Sequence, residues 1–187
     1  FGEATYDITD ALSLTAGLRY SHEKKTIKDG AFGLVGFGIQ NFPEDSESWS
    51  DLGYRVVLQY DTDDAMYYAK HETGFKSGTF NTANPASPGP VNPEEIKAFE
   101  VGMKRDLLDG RVTLNTSVFY NDYNNLQIQV INASGASTFD QAEGAETYGL
   151  DLEVNALVTE NLRVFGGLNY LETEYVQYIS SGALLPN

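Results

Sequence analysis

The chain has 187 residues, 41% of them hydrophobic, no cysteine and a formal net charge of -15. No run reaches the ~20 consecutive apolar residues of a membrane-spanning helix. The absent thiols exclude disulfides, thiolate metal sites and cysteine nucleophiles, and the acidic balance opposes binding to nucleic-acid phosphates. Twelve Tyr and ten Phe beside a single Trp make a heavy aromatic load. The first residue is Phe1 rather than Met, no signal peptide is visible, and strand-like alternation starts at once. The chain therefore reads as a piece of something longer.

Residues 2–6 lead into a first turn, "DITDA" (7–11), and residues 12–20 follow with clean alternation. Leu12, Leu14, Ala16, Leu18 and Tyr20 share one face; Ser13, Thr15, Gly17 and Arg19 share the other. A connection rich in Gly, Phe and charge occupies about 24–48. Residues 54–60 then lead to "DTDDA" (61–65), with 66–75 beyond it. After the Pro- and Asn-rich stretch "SGTFNTANPASPGPVNP", residues 99–107 reach "LLDGR", where Asp109-Gly110 is a strong two-residue hairpin signal. Residues 112–123, a connection at about 131–144, residues 148–158, the turn "VTENL" and residues 162–170 complete the series. The pattern predicts an all-β chain of eight antiparallel strands in four hairpins, with short turns alternating with long connections.

Alternation alone does not say which face is interior. A soluble barrel turns its apolar face inward and a membrane barrel turns it outward, yet both alternate. The polar faces carry Arg19, Arg55, Glu100, Lys104, Asp151 and Glu153. Tyr20, Tyr120 and Tyr170 lie nine or ten residues past a turn, with Phe75 placed similarly, and Tyr6 and Tyr60 lie just ahead of their turns. Nine residues at ~3.3 Å each, tilted near 40°, rise roughly 23 Å, close to the ~25 Å apolar band between the aromatic girdles of an outer-membrane barrel. Alternation continues in "SHEKKT" and "NDYNNLQIQV", predicting strands that extend above such a band. These features favour the apolar face outward. A complete eight-stranded outer-membrane barrel of structural or adhesive role, and a soluble barrel holding an apolar ligand, remain as alternatives.

"GFKSGTFN" (74–81) after the Tyr-rich "AMYYAKHET", together with residues 93–127, 147–175 and 4–25, resembles segments of the TonB-dependent outer-membrane receptors. The resemblance implies a transmembrane β-barrel segment, part of a barrel of about 22 strands in the bacterial outer membrane. The plug domain and the remaining strands would lie outside residues 1–187. It further implies energy-dependent uptake of a scarce ligand, typically a ferric siderophore, driven by TonB through an N-terminal region of the full-length chain. Outer-membrane lipid would surround the barrel. On this basis Arg19, Arg55, Glu100, Lys104, Asp151 and Glu153 are expected to line the lumen and face the plug. Tyr6, Tyr20, Tyr60, Tyr120 and Tyr170 are expected to form the girdles.

Other chemistry finds little footing. No nucleophile motif points to an enzyme, and no cofactor is implied. "DTDD" has calcium-like spacing without the Gly and distal Glu of an EF-hand loop, so a turn is the better reading. "GLVGFG" (33–38) lacks the strand–turn–helix setting of a dinucleotide fingerprint. His22 and His71, the only histidines, lie near the far ends of their strands and make a weak metal pair. Conspicuous apolar loop residues serve either binding or loop packing; Phe32, Phe37, Phe42 and Phe80 are the candidates for ligand contact.

Overall fold

The computed structural model describes residues 1–34, 38–81, 89–131, 137–177, 179–180 and 183–184. Eight strands form one sheet: β1 (Gly2–Asp7), β2 (Leu12–Ile27), β3 (Asp45–Asp61), β4 (Ala65–Lys76), β5 (Glu94–Leu107), β6 (Val112–Ile131), β7 (Ser137–Thr159) and β8 (Leu162–Gln177). They pair antiparallel in strict chain order, with β1 and β8 as the two edges. Among the described residues the eight strands therefore form an open, partial barrel wall rather than a closed eight-stranded barrel. Short two-stranded pairings occupy Gly30–Leu34 with Gly38–Phe42, Thr79–Phe80 with Pro90–Val91, and Ile179–Ser180 with Ala183–Leu184.

The short turns follow from local chemistry. In the first, Thr9 Oγ1 accepts the amides of Ala11 and Leu12 at 3.2 and 3.0 Å. In the second, Thr62 Oγ1 accepts the amide of Ala65 at 3.0 Å. In the third, the Arg111 amide donates to the Leu108 carbonyl at 3.2 Å. Asp109 and Gly110 hold the central positions there with φ of 56° and 77°, the left-handed pair that Asp-Gly tolerates. The fourth turn needs only Glu160 and Asn161, because Thr159 already pairs with Leu162.

At the opposite end the strands run further than the 24–48 and 131–144 connections suggested. β2 and β3 pair as far as Ile27 and Asp45, and β6 and β7 as far as Ile131 and Ser137. Continuous cross-strand hydrogen bonding carries polar segments such as "HEKKT" that have no apolar face of their own. The 16 residues of β2 rise about 40 Å at ~3.3 Å each and a tilt near 40°, well beyond a ~25 Å apolar band.

Register sorts the side chains into two faces. Leu12, Leu14, Ala16 and Leu18 stand opposite Tyr60, Leu58, Val56 and Tyr54. Val101, Val118, Leu150 and Tyr170 continue the same face across the later strands. That face is open: Leu18 is 60% exposed, Leu52 63%, Val101 57% and Leu168 57%. No large side chain among the described residues is fully buried, so the sheet has no aqueous-type core. An apolar patch of this breadth belongs against lipid.

Candidate functional site

The opposite face is polar and carries a continuous charged row. Arg55 Nη1 reaches Glu3 Oε2 at 3.2 Å and its Nε lies 3.5 Å from Glu72 Oε2. Lys70 Nζ bridges Glu72 at 3.2 Å and Glu100 at 3.4 Å, and Tyr68 Oη donates to Glu100 Oε1 at 2.6 Å. The row links β1, β3, β4 and β5. It can pass over β2 because Gly17, the residue opposite Arg55, has no side chain; a Cβ there would stand 3.2 Å from Glu3 Oε2. Gly102 plays the same part for Tyr68, whose ring occupies the space a Cβ would need. Phe119 likewise overlies Gly149, at 2.7 Å from where a Cβ would sit. These pairs are partly exposed, and exposed pairs contribute about 0–1 kcal/mol each. The row fixes the relief and charge pattern of the wall more than its stability.

Beside the row a depression of about 450 Å³ has Gly17, Gly53 and Gly74 among its lining residues, with Arg19, Arg55 and Glu72 around them. The sequence-predicted polar residues divide by environment. Arg55 and Glu100 are members of the row. Asp151 accepts a hydrogen bond from Asn169. Arg19, Lys104 and Glu153 share the polar face by register. Glu3, Tyr68, Lys70 and Glu72 also belong to the row and escaped sequence reading. Only the register of neighbouring strands reveals that Gly17 stands beneath the Arg55–Glu3 bridge and Gly102 beneath the Tyr68 ring.

The aromatic candidates lie on the apolar face at two levels. Near the short turns, Tyr6 stands opposite Leu14, and Tyr60 between Leu12 and Tyr67. Further along, Tyr20 faces Leu52, Tyr120 lies between Phe99 and Tyr148, and Tyr170 faces Leu150. Tyr54, Phe99 and Tyr148 were not anticipated at the upper level, nor was His71. Its ring stacks on Phe99 with centroids 4.0 Å apart and meets Tyr54 edge-on. Tyr54 Oη lies 2.8 Å from His71 Nε2, and Nδ1 lies 3.0 Å from the Ala98 carbonyl oxygen. With both ring nitrogens partnered, a polar side chain is tolerated on an apolar face. His22 Nδ1 lies 2.9 Å from Ser50 Oγ instead. Among the described residues no group of three or more His, Asp or Glu side chains is placed to hold a metal.

Of the loop candidates, Phe37 lies outside the described residues. Phe32 and Phe42 pair through their backbones with Gln40 and Gly30, and their side chains lie outside the described set. Phe80 is only 7% exposed. Its backbone pairs with that of Pro90. At the short-turn end, Arg105 donates from Nε and Nη2 to Asp64 Oδ2 at 3.2 and 2.9 Å. That guanidinium holds the Asp64 carboxyl below its ordinary range.

An open wall with one lipid-suited face, one charged face and short turns at one end defines a segment of an outer-membrane β-barrel. The family model for the TonB dependent receptor-like β-barrel matches residues 1–187. The chain belongs to the TonB-dependent receptor β-barrel family, whose members are outer-membrane receptors rather than enzymes. It is 30% identical over 134 residues to the metal-pseudopaline receptor CntO of Pseudomonas aeruginosa, covering 70% of this chain and 18% of that protein. It is 27% identical over 179 residues to the ferric-pyoverdine 358 receptor of Pseudomonas putida, covering 93% of this chain and 21% of the relative. Among solved structures it resembles the ferric yersiniabactin uptake receptor FyuA from Yersinia pestis. There the TM-score is 0.78 at 21% identity, over 93% of this chain and 26% of that one. The chain thus spans about a fifth of the length of these curated relatives.

Proposed function

We propose that the chain is part of the barrel of a receptor that takes up a scarce metal chelate, a ferric siderophore, with energy delivered through TonB. The observation that carries this reading is the division of the wall: an apolar face bounded by two levels of aromatics, backed by the charged row from Glu3 to Glu100. Such a wall suits a wide, watery lumen that encloses other protein, and the row and its neighbours Arg19, Lys104, Asp151 and Glu153 would face a plug domain of the full-length chain. The Tyr levels would mark the two membrane interfaces. Relatives named for metal-pseudopaline and ferric-pyoverdine support chelated metal as the ligand class.

The test is uptake of iron-55 chelated by a panel of siderophores in cells that express the full-length gene as their only such receptor. Uptake of one chelate that stops when TonB is deleted supports the proposal. Uptake that is unchanged without TonB, or none for any metal chelate, contradicts it.

A further inference from the structure

The connection between β4 and β5 opens with the motif "GFKSGTFN" (74–81), whose Gly78 and Ser77 the receptor reading leaves without a task. Past Lys76 the chain crosses the polar face and is tied on both sides. Toward β2, Ser77 Oγ donates to Glu23 Oε2 at 2.6 Å and Lys25 Nζ donates to the Gly78 carbonyl at 2.7 Å. Trp49 of β3 lies so close to Gly78 that a Cβ there would overlap the indole and the Val91 carbonyl oxygen.

Toward β6 and β7 the ties are amides. Gln127 Nε2 donates to the carbonyls of Ser77 and Asn92 at 3.1 and 2.9 Å, and Gln141 Nε2 donates to that of Asn92 at 3.1 Å. Asn81 Nδ2 donates to the Phe139 carbonyl at 2.9 Å, and the Phe139 amide returns a bond to Asn81 Oδ1 at 3.2 Å. Between the two sets of ties, Thr79–Phe80 pairs with Pro90–Val91. Ser77, Gly78, Phe80, Asn81 and Val91 are all buried. Trp49 and Gln127 stand on strands three inter-strand spacings apart, about 14 Å, with β4 and β5 between them.

We propose that residues 77–81 and 89–92 form a fixed brace across the polar face, holding the β2–β3 side and the β6–β7 side of the far rim at a set separation. Most of the ties end on backbone carbonyls of the brace, so they depend on the donors Lys25, Gln127 and Gln141 and on the missing Cβ of Gly78. Rearrangement of the rim during ligand exchange is then confined to the other connections, whatever chelate the receptor carries.

The test is hydrogen exchange by mass spectrometry on the full-length receptor in detergent micelles. In the wild type the amides of 78–81, Val91 and Asn92 exchange about tenfold or more slower than those of Asp63 and Asp64 in the exposed turn. Gln127→Glu keeps the side-chain size but sets an acceptor against two carbonyls; it speeds the brace amides about tenfold and leaves those of 66–70 unchanged. Spin labels at positions 24 and 124 give one narrow distance in the wild type and a broadened one in Gln127→Glu. Exchange of the wild-type brace amides at turn rates overturns the proposal, as does an unchanged brace and an unchanged distance distribution in Gln127→Glu.

Discussion

Two kinds of residue carry the wall's behaviour: glycines that leave room and charges that use it. Tyr68 lies over Gly102 and reaches Glu100 at 2.6 Å. Gly102→Val removes that space, turns the phenol away and breaks one end of the charged row. The expected cost is about 1–3 kcal/mol from overpacking, read as a lower denaturation midpoint of the full-length receptor in detergent. At the short-turn end, Asp64 is held below the ordinary carboxyl range by the hydrogen bonds from Arg105. A carboxyl depressed in the folded state stabilises above its unfolded pKa, and that contribution is lost as pH falls through the folded value. The Asp106 amide bonds the Asp64 carbonyl at 2.8 Å. Its exchange, corrected for intrinsic rate, should therefore accelerate on acidification below about pH 4. Asp64→Asn should abolish that acid step.

Each strand tests the assignment of faces directly. Val118 stands between Val101 and Leu150 on the apolar face, while its neighbour Ser117 stands between Gly102 and Asp151 on the polar one. Val118→Arg should destabilise the folded barrel by about 1–2 kcal/mol, because Val118 lies one pleat below Tyr120 and the cost of a cation on the lipid face falls from about 2–4 kcal/mol at the midplane to about 0–1 near the interface. Ser117→Arg, one residue away, should cost less, and the two are compared by denaturant unfolding in the same lipid. The four turns and the mid-strand alternation were legible in the sequence because Asp, Thr, Asn and Gly act locally there and period two needs no partner. The upper strand lengths were not, since "HEKKT" pairs only because β3 supplies Glu47 and Trp49 in register with Lys25 and Glu23. The charged row was half legible. Arg55 and Glu100 stand out as charges within strands, but their link through Glu72 and Lys70 follows from inter-strand register, which no single strand encodes. The burial of Phe80 was not legible either: its backbone pairs with Pro90, and its neighbours Ser77, Gly78 and Asn81 are tied to residues distant in sequence.

At the scale of the molecule, one question governs the rest: whether the apolar face of this open wall meets lipid. The eight strands hydrogen-bond in chain order with β1 and β8 at the edges, and the exposed Leu18, Leu52, Val101 and Leu168 have no other suitable solvent. The membrane barrel, its lumen and the uptake proposal all depend on that orientation. The direct measurement is a spin-label scan of positions 13–19 in the full-length receptor reconstituted in lipid, with accessibility to oxygen and to a water-soluble nickel chelate at each position. Oxygen maxima at 14, 16 and 18, with nickel maxima at 13, 15 and 19, are the predicted result. The opposite phase, or no alternation, would contradict it.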